Sequence, residues 1–212
     1  MLGYAAMNRT LRERDPPRRC NRDIRQTTWE REGIERVAAL TERNFEDLHA
    51  ILEWNRDHGI RFYRCSSTLV PWNSQFELPE LPNYDLPPRA RDRLVVENDD
   101  KASLWGVTEL VDAVSEVVEI PVTFDYHHHS FTSRGRSYRE GFAAARDTWG
   151  DVRPITHYSE PALLHGESEA RPQDHAEHVA AVPDWLRDRS DVMVESHGKE
   201  RSLLRLRDRT SA

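Results

Sequence analysis

The stretch "PVTFDYHHHS", Pro121 to Ser130, places an aspartate and three consecutive histidines directly behind an apolar run that reads as a strand. A surface histidine tract or an engineered tag is the plain alternative. Tags sit at chain ends, away from strand patterns, so the tract's internal position argues against one. Asp125, His127, His128 and His129 therefore read as groups delivered to the end of a strand, and the segments on either side show what kind of sheet that strand belongs to.

Downstream, Tyr138 to Trp149 is amphipathic at helical spacing, "RPITHYSE" is another strand, a helix is expected around Asp174 to Arg189, and "DVMVESH" precedes a last helix over Glu200 to Arg209. Upstream, "RLVVEND" reads as a strand followed by a helix over Val107 to Val118. "IRFYRCSS" reads as a strand followed by a segment whose five prolines exclude a long helix. The opening "LGYAAM" is a short strand leading through an arginine-rich loop, Arg9 to Arg25. A helix over roughly Glu30 to His58 follows, stopped by Gly59. Six strand-then-helix units without a sequence repeat give an α/β fold with a parallel sheet, read as a single TIM-type (β/α) barrel-like domain that is incomplete, with six units instead of eight.

Composition narrows the class. A chain of 212 residues is long enough for one domain with a substantial core. Its net charge of −7, with Lys101 and Lys199 as the sole lysines, suits a salt-rich cytoplasm and implies that any contact with a polyanion is local. Cys20 and Cys65 are too few for a disulfide framework or a CxxC zinc site. No signal peptide or membrane span is visible, and the expectation is a soluble cytoplasmic protein.

In a (β/α) barrel the functional groups gather at the C-terminal strand ends. Those ends carry Tyr4 and Asn8, Glu97, Asp125 with His128, His157, and Glu195. Carboxylates and imidazoles together suit Mn²⁺, Zn²⁺ or Fe²⁺. Each residue has a plainer reading: Asp125 and His128 in a polar loop, Glu97 in a capping cluster with Asn98, Asp99 and Asp100, and His157 and Glu195 merely exposed. Their weight is joint, because four strand ends share one chemistry. His175, beside His178 in "QDHAEH", is either a further ligand or part of a solvated face. The seven arginines of Arg9 to Arg25 either contact phosphate or are balanced by Glu13, Asp15 and Asp23. Trp72, Phe76 and Tyr84 either stack on bases or pack beneath their loop.

Taken in order, "LGYAAMNRTL", "DHGIRFYRCSS", "VVENDDK", "FDYHHH", "HYSEP" and "DVMVESHGKE" resemble the UV-damage endonuclease family along almost the whole chain. That resemblance implies a metal-dependent barrel that cuts the DNA backbone 5′ to UV photoproducts, using water activated by two or three divalent ions, commonly Mn²⁺. It implies Glu97 as a bridging ligand, Asp125, His128, His157 and Glu195 as further ligands, and His175 as another. It also implies Tyr4 and Asn8 as catalytic groups beside the cluster, and Arg9, Arg12, Arg18, Arg19 and Arg22 as contacts to double-stranded, UV-damaged DNA. On this reading His128 faces the metals, while His127 and His129 flank the mouth.

Two departures stand against the family pattern. Near Asp85 and Leu86 the chain runs straight on where family members carry about two more βα units, with HPG-like and HVGG-like histidines and the pair that probes the lesion. In addition, Ile155 stands where some members have a lysine. The rival readings are a remnant that binds metal or DNA without cutting, and a sugar isomerase or epimerase on the same barrel. A swapped dimer is one way to cover the edges of an opened sheet.

Overall fold

The computed structural model describes residues 1–5, 8–14, 39, 42–43, 46–60, 63–64 and 95–210. Six parallel strands emerge from these residues: β1 (Leu2–Ala5), β2 (Tyr63–Arg64), β3 (Val96–Glu97), β4 (Val122–Asp125), β5 (Ile155–Tyr158) and β6 (Asp191–Val194). They lie side by side in the order β2-β1-β6-β5-β4-β3. This is the cyclic order of a (β/α) barrel cut open between β2 and β3. The opening falls where the resemblance places the missing units, and the incomplete TIM-type reading holds among the described residues. The proline-rich segment, the junction at Asp85 and Leu86, Cys20 and Cys65, and Arg18, Arg19 and Arg22 lie outside them.

Strands β4, β5 and β6 are buried along most of their length, as strands covered on both faces are. Register places Leu2, Val192, Thr156 and Phe124 in one row, and Tyr4, Val194 and Tyr158 in the next. Directly paired residues share a face and successive residues alternate, so this set lines the helix side of the sheet. There it meets Phe142, Leu186, Leu203 and Leu206 in one buried core. Asp125, His157 and Met193 form the adjoining row, on the opposite face.

The helices are α1 (Arg9–Arg14), α2 (46–57), α3 (Val107–Val118, with a π turn at Val111–Ser115), α4 (Tyr126–Thr132), α5 (Tyr138–Asp147), α6 (Asp184–Arg187) and α7 (Glu200–Thr210). Helix α5 starts at a capping box legible in "SYRE": Ser137 Oγ accepts from Glu140 N at 3.3 Å, and Ser137 N donates to Glu140 Oε2 at 2.8 Å. Gly106, which precedes α3, has to be glycine because a Cβ there would lie 2.3 Å from the carbonyl oxygen of Thr132.

Two elements differ from expectation. The first part of the arginine-rich loop is helix α1, because Arg9 N and Thr10 N both donate to the buried Glu200 carboxylate, at 2.9 and 2.7 Å. An acceptor from the far end of the chain thus satisfies a helix start. The helix expected around Asp174 to Arg189 shrinks to α6. Ahead of it the chain runs extended beside residues 160–162: His175 bridges Pro161, and Ala176 N donates to Glu160 O at 2.8 Å. Among the described residues, no helix is long and apolar enough to cross a membrane.

Candidate metal centre

Glu97 ends β3, Asp125 ends β4, His157 sits near the end of β5 and Glu195 directly follows β6. One ligand-type atom from each lies within 4.8 Å of all the others. His157 Nδ1 is 2.8 Å from Glu97 Oε1 and 3.5 Å from Glu195 Oε1. Asp125 is fully buried; its Oδ1 accepts from His128 N at 2.8 Å, and its Oδ2 is buried with no hydrogen-bond partner. A buried carboxylate oxygen left without a donor is costly unless a cation completes it. The hard oxygen donors and the imidazole nitrogen suit a divalent ion, and this cluster could hold one.

The electrostatics carry the mark of groups packed for a cation. Burial, then the negative charge of Glu97, pushes Asp125 up to about 7. Burial works against charge on His157, but Glu97 and Glu195 outweigh it and raise its pKa to about 9. Burial also disfavours the Glu97 carboxylate, yet His157 overcomes this and holds it down at about 2. Without a metal, protons stand in for positive charge.

The three histidines of the tract lie on the first turn of α4, which Asp125 caps, and not in a loop. Helical geometry sends them three ways. His128 Nδ1 is 2.9 Å from Asn98 O, and His175 Nδ1 is 2.8 Å from Glu195 O. Since a carbonyl oxygen only accepts, Nδ1 carries the proton in both, and in the neutral ring Nε2 keeps its lone pair; burial works against charge on His128, but Asp125 and Glu97 outweigh it and raise its pKa. Metal-binding histidines are commonly oriented by such backbone partners. His127 packs edge-on against His175, with ring centroids 5.3 Å apart, and burial followed by His175 pushes its pKa down to about 4. His129 departs from expectation: it does not flank the mouth but turns into the core against Phe124, so close to Gly141 that a Cβ there would meet its ring at 2.5 Å.

Tyr4 does not stand beside the cluster as expected: it lies on the helix side of β1, the face opposite Asp125 and His157, where its hydroxyl donates to Asn55 Oδ1 at 2.7 Å and accepts from Asn8 Nδ2 at 3.1 Å. Asn8 Oδ1 accepts from Leu11 N at 2.9 Å at the start of α1. Arg9 is engaged by Glu177 and by the carbonyl oxygen of His197, while Arg12 lies on the same short helix. Ile155 begins β5. Asn98, read from sequence as a helix cap, instead spends its side-chain amide on the backbone of Asp125. Nothing in "VVENDD" marks that bond.

The likeness to known proteins concerns family and fold. A family model described as UV-endonuclease UvdE matches residues 1–80 and 73–211. The chain belongs to the UvdE family. Its UvdE-type relatives include a UV-damage endonuclease of Schizosaccharomyces pombe, 44% identical over 73 residues, which are 34% of this chain and 12% of that protein. A UV DNA damage endonuclease of Bacillus cereus (strain G9842) is 30% identical over 137 residues, covering 60% of this chain and 41% of that one. The chain thus spans less than half the length of these curated relatives. The crystal structure of SacUVDE superposes with a TM-score of 0.65 at 23% identity, over 95% of this chain and 94% of the other, and shows the same fold.

Proposed function

We propose that this chain is a metal-dependent endonuclease that hydrolyses the phosphodiester 5′ to UV photoproducts in double-stranded DNA, opening excision repair. The observation that carries the reading is the convergence of Glu97, Asp125, His157 and Glu195 within 4.8 Å at adjacent strand ends of a UvdE-family chain. These four would hold the first ion, with His128 and His175 offering their Nε2 atoms beside it. Mn²⁺ fits a donor set of carboxylates and imidazoles. Such ions supply an activated water and stabilise the charge that builds on the phosphodiester oxygens.

The chain's own residues do the rest. Glu97, at the centre of the cluster, holds His157 in place, and Asp125 anchors α4 so that His128 leaves the strand end at a fixed angle. Tyr4 and Asn8 act through the network that joins β1 to α2 and α1. Arg9 and Arg12 of α1, with Arg18, Arg19 and Arg22 beyond it, contact the DNA backbone; their contribution falls as salt rises.

A second reading, a relative that holds metal or DNA without cutting, draws on the opened sheet. The arc lacks neighbours between β2 and β3 among the described residues, and no HPG or HVGG histidine is present. The test is nicking of UV-irradiated against unirradiated supercoiled plasmid with Mn²⁺ across a salt series, by wild type and Glu97→Gln. Damage-dependent nicking that the variant loses supports the endonuclease. Folded, metal-loaded protein that leaves irradiated plasmid intact at every salt concentration rejects it in favour of the second reading.

A further inference from the structure

We propose that Asn98 is a positioning residue that sets the depth of Asp125 and the orientation of His128 in the candidate metal centre. Asn98 is fully buried. Its Nδ2 donates to Asp125 O at 3.0 Å, its Oδ1 accepts from Asp125 N at 2.9 Å, and its own carbonyl oxygen accepts from His128 Nδ1 at 2.9 Å. One residue thus grips two prospective ligands of the neighbouring strand, and it is chain neighbour to a third, Glu97.

The reason lies in where the ladder stops. Strands β3 and β4 pair only as far as Glu97 opposite Thr123. Beyond that the β3 chain turns away, with Asp99 N donating to Trp105 O at 3.0 Å. A primary amide offers the same donor and acceptor as a peptide unit. The Asn98 side chain therefore supplies the missing rung at the point where β4 hands over to α4: it satisfies the Asp125 N–H, which would otherwise be buried and unpaired, and gives a second donor to the Asp125 carbonyl, which as helix N-cap already accepts the first intrahelical bond. Aspartate at this position has no donor for Asp125 O and adds negative charge beside Asp125 and Glu97. Alanine offers neither group.

This inference rests on the cluster being a metal centre, and the test separates the two. Mn²⁺ affinity is measured by titration calorimetry for wild type, Asn98→Ala, the isosteric Asn98→Asp, Glu97→Gln and Leu203→Ala, the last a core variant remote from the site that serves as a control for lost stability. Amide hydrogen exchange at Asp125 is followed in parallel. The expected result is affinity weakened about 10- to 100-fold in both Asn98 variants, with rapid exchange at Asp125 N in Asn98→Ala and near-wild-type affinity in Leu203→Ala. Folded Asn98 variants that bind Mn²⁺ as wild type does, or weakened no more than Leu203→Ala, overturn the positioning role while leaving the metal centre standing. Wild type that takes up no more Mn²⁺ than Glu97→Gln overturns the metal centre and this role with it.

Discussion

His157 Nδ1 lies 2.8 Å from Glu97 Oε1, although β4 runs between the strands that carry them. The two side chains meet over the end of β4, where Asp125 stands fully buried. Three neighbouring strands thus contribute to one point, and a proton there does the work that a cation would do.

Metal uptake is therefore expected to release protons. At pH 7 His157, with a pKa raised to about 9, is charged, and Asp125, raised to about 7, is partly protonated. A divalent ion displaces both protons. Calorimetry of Mn²⁺ binding in buffers of different ionisation enthalpy should show net release of between one and two protons at pH 7. Affinity should climb from pH 6 to pH 9 and level off above. A pH-independent affinity would count against these groups as ligands.

The metal-free protein should lose stability as pH rises. Asp125 holds its proton longer folded than unfolded, so its share of stability is present below about pH 4, the unfolded value, and is lost towards pH 7. The share from His157 is complete below about pH 6.5 and lost as pH passes through about 9. Glu97 has the opposite sign: its contribution is present above about pH 4.3 and lost as pH falls towards 2. Because His127, held down at about 4, gains stability as pH rises to about 6.5 and offsets the loss from Asp125 there, thermal melts in chelator should show Tm falling chiefly between pH 7 and pH 9, and saturating Mn²⁺ should flatten that slope.

The histidine tract should separate by substitution. His129 packs against Phe124 and Tyr138 in the core, so His129→Ala should cost about 2–4 kcal/mol of stability, as large-to-small core changes do. His128→Ala removes a partly exposed ring and should change Tm little while weakening metal binding by tenfold or more. Denaturant unfolding alongside Mn²⁺ titration checks both. Equal loss of stability in the two variants would contradict the division of the tract between core and mouth.

Much of this site is legible in sequence because strand ends follow from periodicity. Once "RLVVEND", "PVTFD", "RPITHYSE" and "DVMVESH" are read as parallel strands, Glu97, Asp125, His157 and Glu195 fall on one rim. The capping box at Ser137 and Glu140 is legible for the same reason: it is local. What stays hidden depends on partners remote along the chain. Glu200 caps α1 across 190 residues, and Pro161 draws His175 into an extended bridge where a helix was expected. Asn98 holds Asp125 across 27 residues through a side chain that sequence alone reads as a cap. Even His129 follows this rule, since its burial depends on the bare backbone of Gly141.

The opened arc also fixes an order of assembly. Strands β3, β4, β5 and β6 pair with successive neighbours, so each can dock onto the one before it as it leaves the ribosome. Strand β1, although made before these four, has its wide contact with β6, the last of them. Loop closure over such a span is slow compared with pairing between neighbours. The four strands that carry the carboxylate and histidine cluster therefore form the early block, and β1 and β2 join it only once β6 has been made. Pulse-labelled hydrogen exchange during refolding should show Phe124 and His157 protected before Tyr4.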